Sequence, residues 1–444
     1  MPEFFGFPYF EVEFNKKGQS SDPAQVRVLT KFLADGKTTD LFVISHGWNN
    51  DIAEARDLYT NIFKCVRQVM DSKVVSGLAK RKFAIMAVLW PSHKFAEKSL
   101  IPSGAASAGS SLASDLLKQE LDDMKAVFDT KKGRETLDKA KKLLPKLEGN
   151  SKARKEFADL MRSLLPKQIS PDADSASEFY KLPGDELLTL LEKMPSSSPA
   201  KPKRTGGAAV VRGGTSVRAG GAAGLGEVLT GVKSSAAHLL NLITYYQMKE
   251  RAGLTGSTGL NEILRSIRKQ NANIKLHLAG HSFGGRLLTS AVAGTKGYPA
   301  IKVNTLTLLQ AAFSHYGFAE NYDGKNNHGF FRKVVTDNLV AGPIVISCTD
   351  NDKAVGLAYP LASMVAGHGA ASFGDKNDKY GGIGRNGAQK TPEAVNGSLL
   401  KVGGAYKFKA GKLYNLNSDA IIGGHSDLGH NEVAYAFLKA VSIS

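Results

Sequence analysis

Cysteine is scarce: Cys65 and Cys348 are the only two in 444 residues. That leaves no disulfide framework and no structural zinc set, and it suits a reducing compartment. Tryptophan is as rare, represented by Trp48 and Trp90 alone. No apolar run reaches the ~18 residues that a membrane-spanning helix needs. The opening MPEFFGFPYFEVEF has neither a basic n-region nor a small-residue cleavage site, so no secretory signal is read there. A cytoplasmic location is the expectation, although leaderless export would leave no mark. Hydrophobic residues make up 42% of the chain, which excludes global disorder. The length allows a substantial core and, at ~150 residues per domain, up to about three domains.

Acidic residues are outnumbered: 58 Lys and Arg against 41 Asp and Glu leave a formal charge of +17. Five of these positive charges (Lys201, Lys203, Arg204, Arg212 and Arg218) fall between Pro195 and Gly226 with no acid among them. Nothing resembles an RNP-type strand, a zinc-finger spacing or a basic heptad region, so no specific nucleic-acid partner is expected. The excess fits a solvated basic surface, or a weak contact with an anionic membrane surface. The sequence carries no signal for oligomeric state.

Three parts follow one another along the chain. In residues 1–91, Phe10–Phe14 alternates apolar and polar residues, as a half-buried edge strand does. Asp40–Ser45 and Phe83–Trp90 are continuous apolar runs, expected of strands buried on both faces. Between them a helical pattern runs through Ile52, Ala55, Leu58, Tyr59, Ile62 and Phe63, completing a βαβ unit with a parallel pair. Residues 92–194 turn helical, with Leu112, Leu116, Leu117, Leu121, Met124 and Phe128 on one face. Residues 195–229, rich in Gly, Ser, Pro and Ala, read as a flexible basic linker. Residues 230–444 resume the α/β alternation, with strands expected at Ile274–Leu278, Val303–Leu309, Pro343–Ser347 and Lys412–Leu416 and a last helix through Val433, Ala436, Phe437 and Val441. The whole reads as one doubly wound sheet, interrupted once.

Directly after the strand Ile274–Leu278 comes Ala279-Gly-His-Ser-Phe-Gly-Gly285, and a helical pattern follows. Gly280-x-Ser282-x-Gly284 between a strand and a helix is the setting of a nucleophile elbow. The turn is so tight that Gly280 and Gly284 must leave room for neighbouring backbone, and Ser282 is held strained with its hydroxyl exposed. A second element is His46-Gly47-Trp48-Asn49-Asn50 at the end of the strand Asp40–Ser45, where backbone N–H groups can face the nucleophile.

With these motifs the chain resembles the α/β-hydrolase superfamily of serine hydrolases, over about residues 5–91 and 230–444. The resemblance implies a doubly wound, mostly parallel sheet with a helical cap insertion. It implies an oxyanion hole formed by the N–H groups of Trp48 and Phe283, with His46 and Gly47 supporting the loop. The superfamily order of nucleophile, acid and histidine then implies the rest. Two aspartates, Asp350 and Asp352, follow the strand Pro343–Ser347. Asp352-Lys-Ala-Val355 fits the superfamily pattern better, with Asp350 bracing the turn. The base is expected between the last strand and the last helix, where His425 follows two glycines. His430, nearer the helix, is expected to cap it or to face solvent.

Several other readings are weaker. His425, Asp427 and His430 lack further ligands at zinc-like spacing, so no metal is expected. Gly382-x-Gly384-x-x-Gly387 matches a dinucleotide fingerprint without the required strand and helix, and is expected to be a loop. No cofactor is implied. The expected activity is hydrolysis of a carboxylic ester, a lipid or smaller acyl ester, through an acyl-enzyme. Two other readings remain open: an amidase or peptidase using the same triad, and a catalytically idle scaffold that binds a partner or anionic surface through its basic insertion. The helical insertion is expected to be either a mobile lid or a fixed cap.

Overall fold

The computed structural model describes residues 2–92, 110–166, 177–192, 231–352, 354 and 381–444. Nine strands in these segments form one sheet: β1 (Glu3–Phe4), β2 (Phe7–Glu13), β3 (Asp40–Ser45), β4 (Phe83–Leu89), β5 (Lys275–His281), β6 (Thr305–Leu309), β7 (Ile344–Cys348), β8 (Ala394–Ser398) and β9 (Leu413–Asn417). Their order is β1-β2-β4-β3-β5-β6-β7-β9-β8. Every pairing is parallel except that of β1 with β2. The chain therefore has an α/β fold built on a mostly parallel sheet.

Burial on both faces explains the central strands. β3, β4, β6 and β7 are buried throughout, which is why their sequences are unbroken apolar runs rather than alternating ones. Phe42 and Ile44 of β3 join one core cluster with Tyr59, Phe63 and Val66 of α2 (Ile52–Asp71). Phe437, Leu438 and Val441 of the last helix, α13 (Asn431–Ser442), belong to the same cluster. Leu41 and Val43 point to the opposite side by strand alternation. There α10 (Phe283–Ala293), buried along its whole length, packs on β5, β3 and β6. Helices thus cover both faces.

The described residues separate into two compact units. The first comprises Met1–Lys94, Gln168–Ser177 and Tyr245–Ser444, and holds the sheet. The second comprises Phe95–Lys167 and Glu178–Thr244. It is helical: α3 (Ser110–Met124), α4 (Lys131–Leu143), α5 (Ser151–Arg162), α6 (Ser177–Lys181), α7 (Gly184–Glu192) and the start of α8 (Gly231–Thr255). Thr130 and Asn150 cap α4 and α5 through their side-chain oxygens, and Leu121, Leu137, Phe157 and Leu187 are fully buried. The division at residue 245 falls inside the continuous helix α8, whereas the α/β alternation of the sequence resumes at 230. The linker 195–229 lies outside the described residues.

Several expectations change in detail. Beyond Pro8, β2 is paired on one side only: the two-residue β1 covers Phe7 and Pro8, and Phe10–Glu13 forms the expected half-buried edge, paired to β4 alone with alternating burial. Strand β5 runs on to His281, so it delivers the elbow directly. The apolar triplet Ala420–Ile422, which reads as a strand in the sequence, is a turn closed by the Ile422 N–H on Ser418 O (2.8 Å). The segment around Gly382–Gly387 is a buried helical turn, α12 (Ile383–Asn386), rather than an open loop. It is pinned by Gly384 N–H to Ala311 O and by Thr349 N–H to Gly384 O.

Candidate active site

Ser282 occupies the one-residue turn between β5 and α10, with φ 55° and ψ −126°. For a residue with a side chain that left-handed region is costly, on the order of 1–3 kcal/mol, and persists only where the surroundings impose it. Here they do. The Ser282 N–H donates to Leu309 O (3.1 Å), while its own carbonyl accepts from Gly285 and Ala312 (3.0 Å each). The glycines supply space: a Cβ at Gly284 would lie 2.3 Å from Ser45 O, and one at Gly280 would lie 2.6 Å from the Gly284 carbonyl.

The loop after β3 lies against this turn. A Cβ built on Gly47 would stand 2.5 Å from Ser282 Cβ and 3.0 Å from Ser282 Oγ, so no residue but glycine fits there. His46 is buried and braces the loop. Its Nδ1–H donates to Gly47 O (2.9 Å) and its Nε2 accepts from Trp90 N–H (3.2 Å). Its backbone N–H donates to Tyr59 Oη, whose hydroxyl donates on to Val88 O. Burial pushes the imidazole down to about 4, against the pull of the Gly47 carbonyl, so it stays neutral with the proton on Nδ1. The Trp90 ring stacks on it at 5.5 Å and 14°. Trp48 packs its ring near Phe283 (6.0 Å) and Tyr245 (6.1 Å).

The candidate acid and base meet across 73 positions of sequence: His425 Nδ1 lies 2.8 Å from Asp352 Oδ2. Asp352 is fully buried. Asp350, by contrast, leaves its side chain 74% exposed and lies 3.9 Å from Arg385 Nε. His430 sits at the start of α13 without capping it by its side chain, and its Nε2 donates to Asp427 (2.8 Å) instead. Among the described residues no group of three or more His, Cys, Asp or Glu could hold a metal. Both cysteines are buried, and neither forms a disulfide among the described residues.

Two contributors had no signal in the motif. His281, the residue before Ser282, donates Nε2–H to the backbone carbonyl of His425 (2.9 Å), and the two rings lie 4.7 Å apart. Burial, reinforced by His425, holds its pKa well below the usual histidine range. The loop bearing His425 is thereby tied to the residue next to Ser282. Asp419 organises the turn carrying Asp352, accepting from Thr349 Oγ1 and Asp350 N–H (2.8 Å each). Burial opposes its ionisation, but the hydrogen bonds from Asn417, Asp350 and Thr349 outweigh it and lower its pKa. The contact from His281 runs to a backbone carbonyl and the Asp419 turn closes between loops, so neither leaves a spacing to read.

Searches of protein-family models, curated proteins and solved structures find no match to this chain. Among the described residues no helix is long and apolar enough to cross a membrane.

Proposed function

We propose that the chain is a serine hydrolase of the α/β-hydrolase type, cleaving carboxylic esters through an acyl-enzyme. The observation that carries this reading is the Asp352–His425 contact, on a loop that is tied through the His425 carbonyl to His281, the residue preceding the strained Ser282. Such a constellation is recognised by geometry and role rather than by position in sequence.

In this reading His425 removes the Ser282 proton through Nε2 as Oγ attacks the ester carbonyl carbon. Asp352 fixes the proton on Nδ1 and stabilises the imidazolium. The N–H groups of Trp48 and Phe283 receive the developing oxyanion, each donor worth roughly 3–4 kcal/mol in sites where one has been removed. Collapse breaks the ester C–O bond, and His425 returns its proton to the departing alcohol. A water, deprotonated by His425, then releases the acid and regenerates Ser282. His46 takes no part as a base, since its ring nitrogens are both engaged in the loop.

A fluorophosphonate probe together with short-chain and long-chain esters tests this. The native protein should be labelled and Ser282→Ala should not, with turnover falling by about four to six orders of magnitude. Equal labelling of a folded Ser282→Ala protein would remove Ser282 from the nucleophile role. An unlabelled, inactive native protein would favour a binding scaffold. Paired ester and amide substrates with the same acyl group separate esterase from amidase.

A further inference from the structure

The loop after β3 contains a clamp that the reading above does not use. Asn50 Nδ2 donates to two successive carbonyls, Gly47 O (3.3 Å) and Trp48 O (3.0 Å). Asn50 itself is held: its carbonyl accepts from Ser92 Oγ (2.6 Å), and its N–H points back to the same hydroxyl (3.4 Å). Asn49, between the clamped residues, has φ 64°, a conformation that asparagine adopts more readily than most residues.

Peptide geometry gives this clamp a consequence. The described chain has no cis peptide bond, so the Gly47 carbonyl and the Trp48 N–H share a planar trans unit and point in opposite directions. The Gly47 carbonyl is taken on one side by His46 Nδ1 and Asn50 Nδ2. The Trp48 N–H is therefore turned the other way, while Gly47 itself rests against Ser282 Oγ. A carbonyl with two donors cannot rotate toward the nucleophile without losing both hydrogen bonds. We infer that Asn50, seated by Ser92, is a positioning residue that fixes the oxyanion-binding orientation of the Gly47–Trp48 peptide. The inference rests on the hydrolase reading and deepens it: a preorganised donor stabilises only charge that develops in the transition state.

The experiment compares the native protein with Asn50→Asp, Asn50→Ala and Ser92→Ala on one soluble ester, with binding of a boronic acid as transition-state mimic. Asn50→Asp keeps the shape but replaces the donor with an oxygen that both carbonyls repel. It should lower kcat by about 10–100-fold, less than outright loss of a donor, while KM moves less than about twofold. Boronate affinity should fall in step with kcat, and Ser92→Ala should show a smaller loss of the same kind. A merely structural role would shift the unfolding midpoint and leave kcat per folded molecule and boronate affinity unchanged. If the native protein is active and Ser282-dependent but Asn50→Asp and Ser92→Ala retain its kcat and boronate affinity, the clamp is overturned and the hydrolase reading stands. If the native protein neither turns over ester nor takes the fluorophosphonate, the hydrolase reading falls and takes the clamp with it.

Discussion

Asp350 and Asp352 are two positions apart and live in opposite environments, one open to solvent, the other sealed against the His425 imidazole. Asp352→Asn keeps the volume but invites the wrong histidine tautomer, and a loss near 10⁴-fold in kcat is expected, as for an orienting aspartate in other triads. Asp350→Asn loses only a distant contact to Arg385 and should leave turnover close to native. The opposite outcome in a kinetic assay would exchange their roles. The same assay should separate His425→Ala from His430→Ala, whose imidazole serves Asp427. Gly47→Ala is a third case. Its methyl would sit 2.5 Å from Ser282 Cβ, so the loop must retreat, and a fall of about 10²–10³ in kcat is expected, the cost of a displaced oxyanion donor. A Gly47→Ala protein with native kcat would show that the loop and the elbow can separate freely.

At the scale of elements, the N-terminal ends of the central strands hold a buried polar cluster that controls stability rather than chemistry. Asp40, opening β3, is paired to Arg81, whose Nε reaches Oδ2 at 3.0 Å. His277 of β5 donates Nε2–H to Asp40 (2.9 Å) and accepts from Thr305 Oγ1 at Nδ1 (3.0 Å). Burial lowers the His277 pKa to about 4 in spite of Asp40, so the ring is neutral in the folded chain, as His46 is. Unfolded, each histidine takes a proton near its ordinary value of about 6.5. Between those values the unfolded state binds more protons, so the stability that these two rings contribute is complete above pH 6.5 and is lost as pH falls toward 4. Denaturant midpoints measured from pH 7 to 4.5 should drop steadily, and the drop should be shallower in His277→Gln. A flat profile would mean that the rings are not held neutral. Arg81→Ala should cost about 3–5 kcal/mol, because it strands a buried carboxylate, yet leave kcat per folded molecule unchanged.

Strand β3 was legible to the residue, since Asp40–Ser45 is buried on both faces and only an unbroken apolar run satisfies that. Strand β8, Ala394–Ser398, was not. It pairs only with β9, is largely exposed, and its sequence AVNGS shows neither apolar alternation nor β-branched enrichment. Helix α1, Pro23–Leu33, begins with an Asp22 cap and a proline in its first turn, a local start signal that the sequence carries independently of any apolar period. The candidate triad could be placed because elbow, acid and histidine each follow a strand in a fixed order. His281, Asn50 and Asp419 could not, since their partners are largely backbone atoms brought near by the fold.

At the scale of the whole molecule, the sheet unit is assembled from segments on either side of the helical unit, so both sides must be made before Gly47 can meet Ser282. The stretch between Pro195 and Gly226 has no apolar period, and such composition contributes little to a core. Replacing it with a short Gly-Ser segment removes five positive charges, lowering the formal charge from +17 to +12. It should leave the unfolding midpoint and soluble-ester turnover at native values. Loss of cooperative unfolding on replacement would give that stretch a structural role.

The two tryptophans have an optical consequence. Trp48 packs near Phe283, the residue after the candidate nucleophile Ser282, and Trp90 stacks on His46. Because the chain holds no other indole, its entire intrinsic emission above the tyrosine band originates within the loop after β3 and its brace. Each photon excited at 295 nm thus reports from the candidate catalytic centre, without a label. A protonated imidazole quenches a stacked indole by accepting an electron, so Trp90 should dim as His46 titrates near pH 4. In Trp90→Phe the remaining signal belongs to Trp48 and should respond when an acyl or phosphonyl group attaches to Ser282.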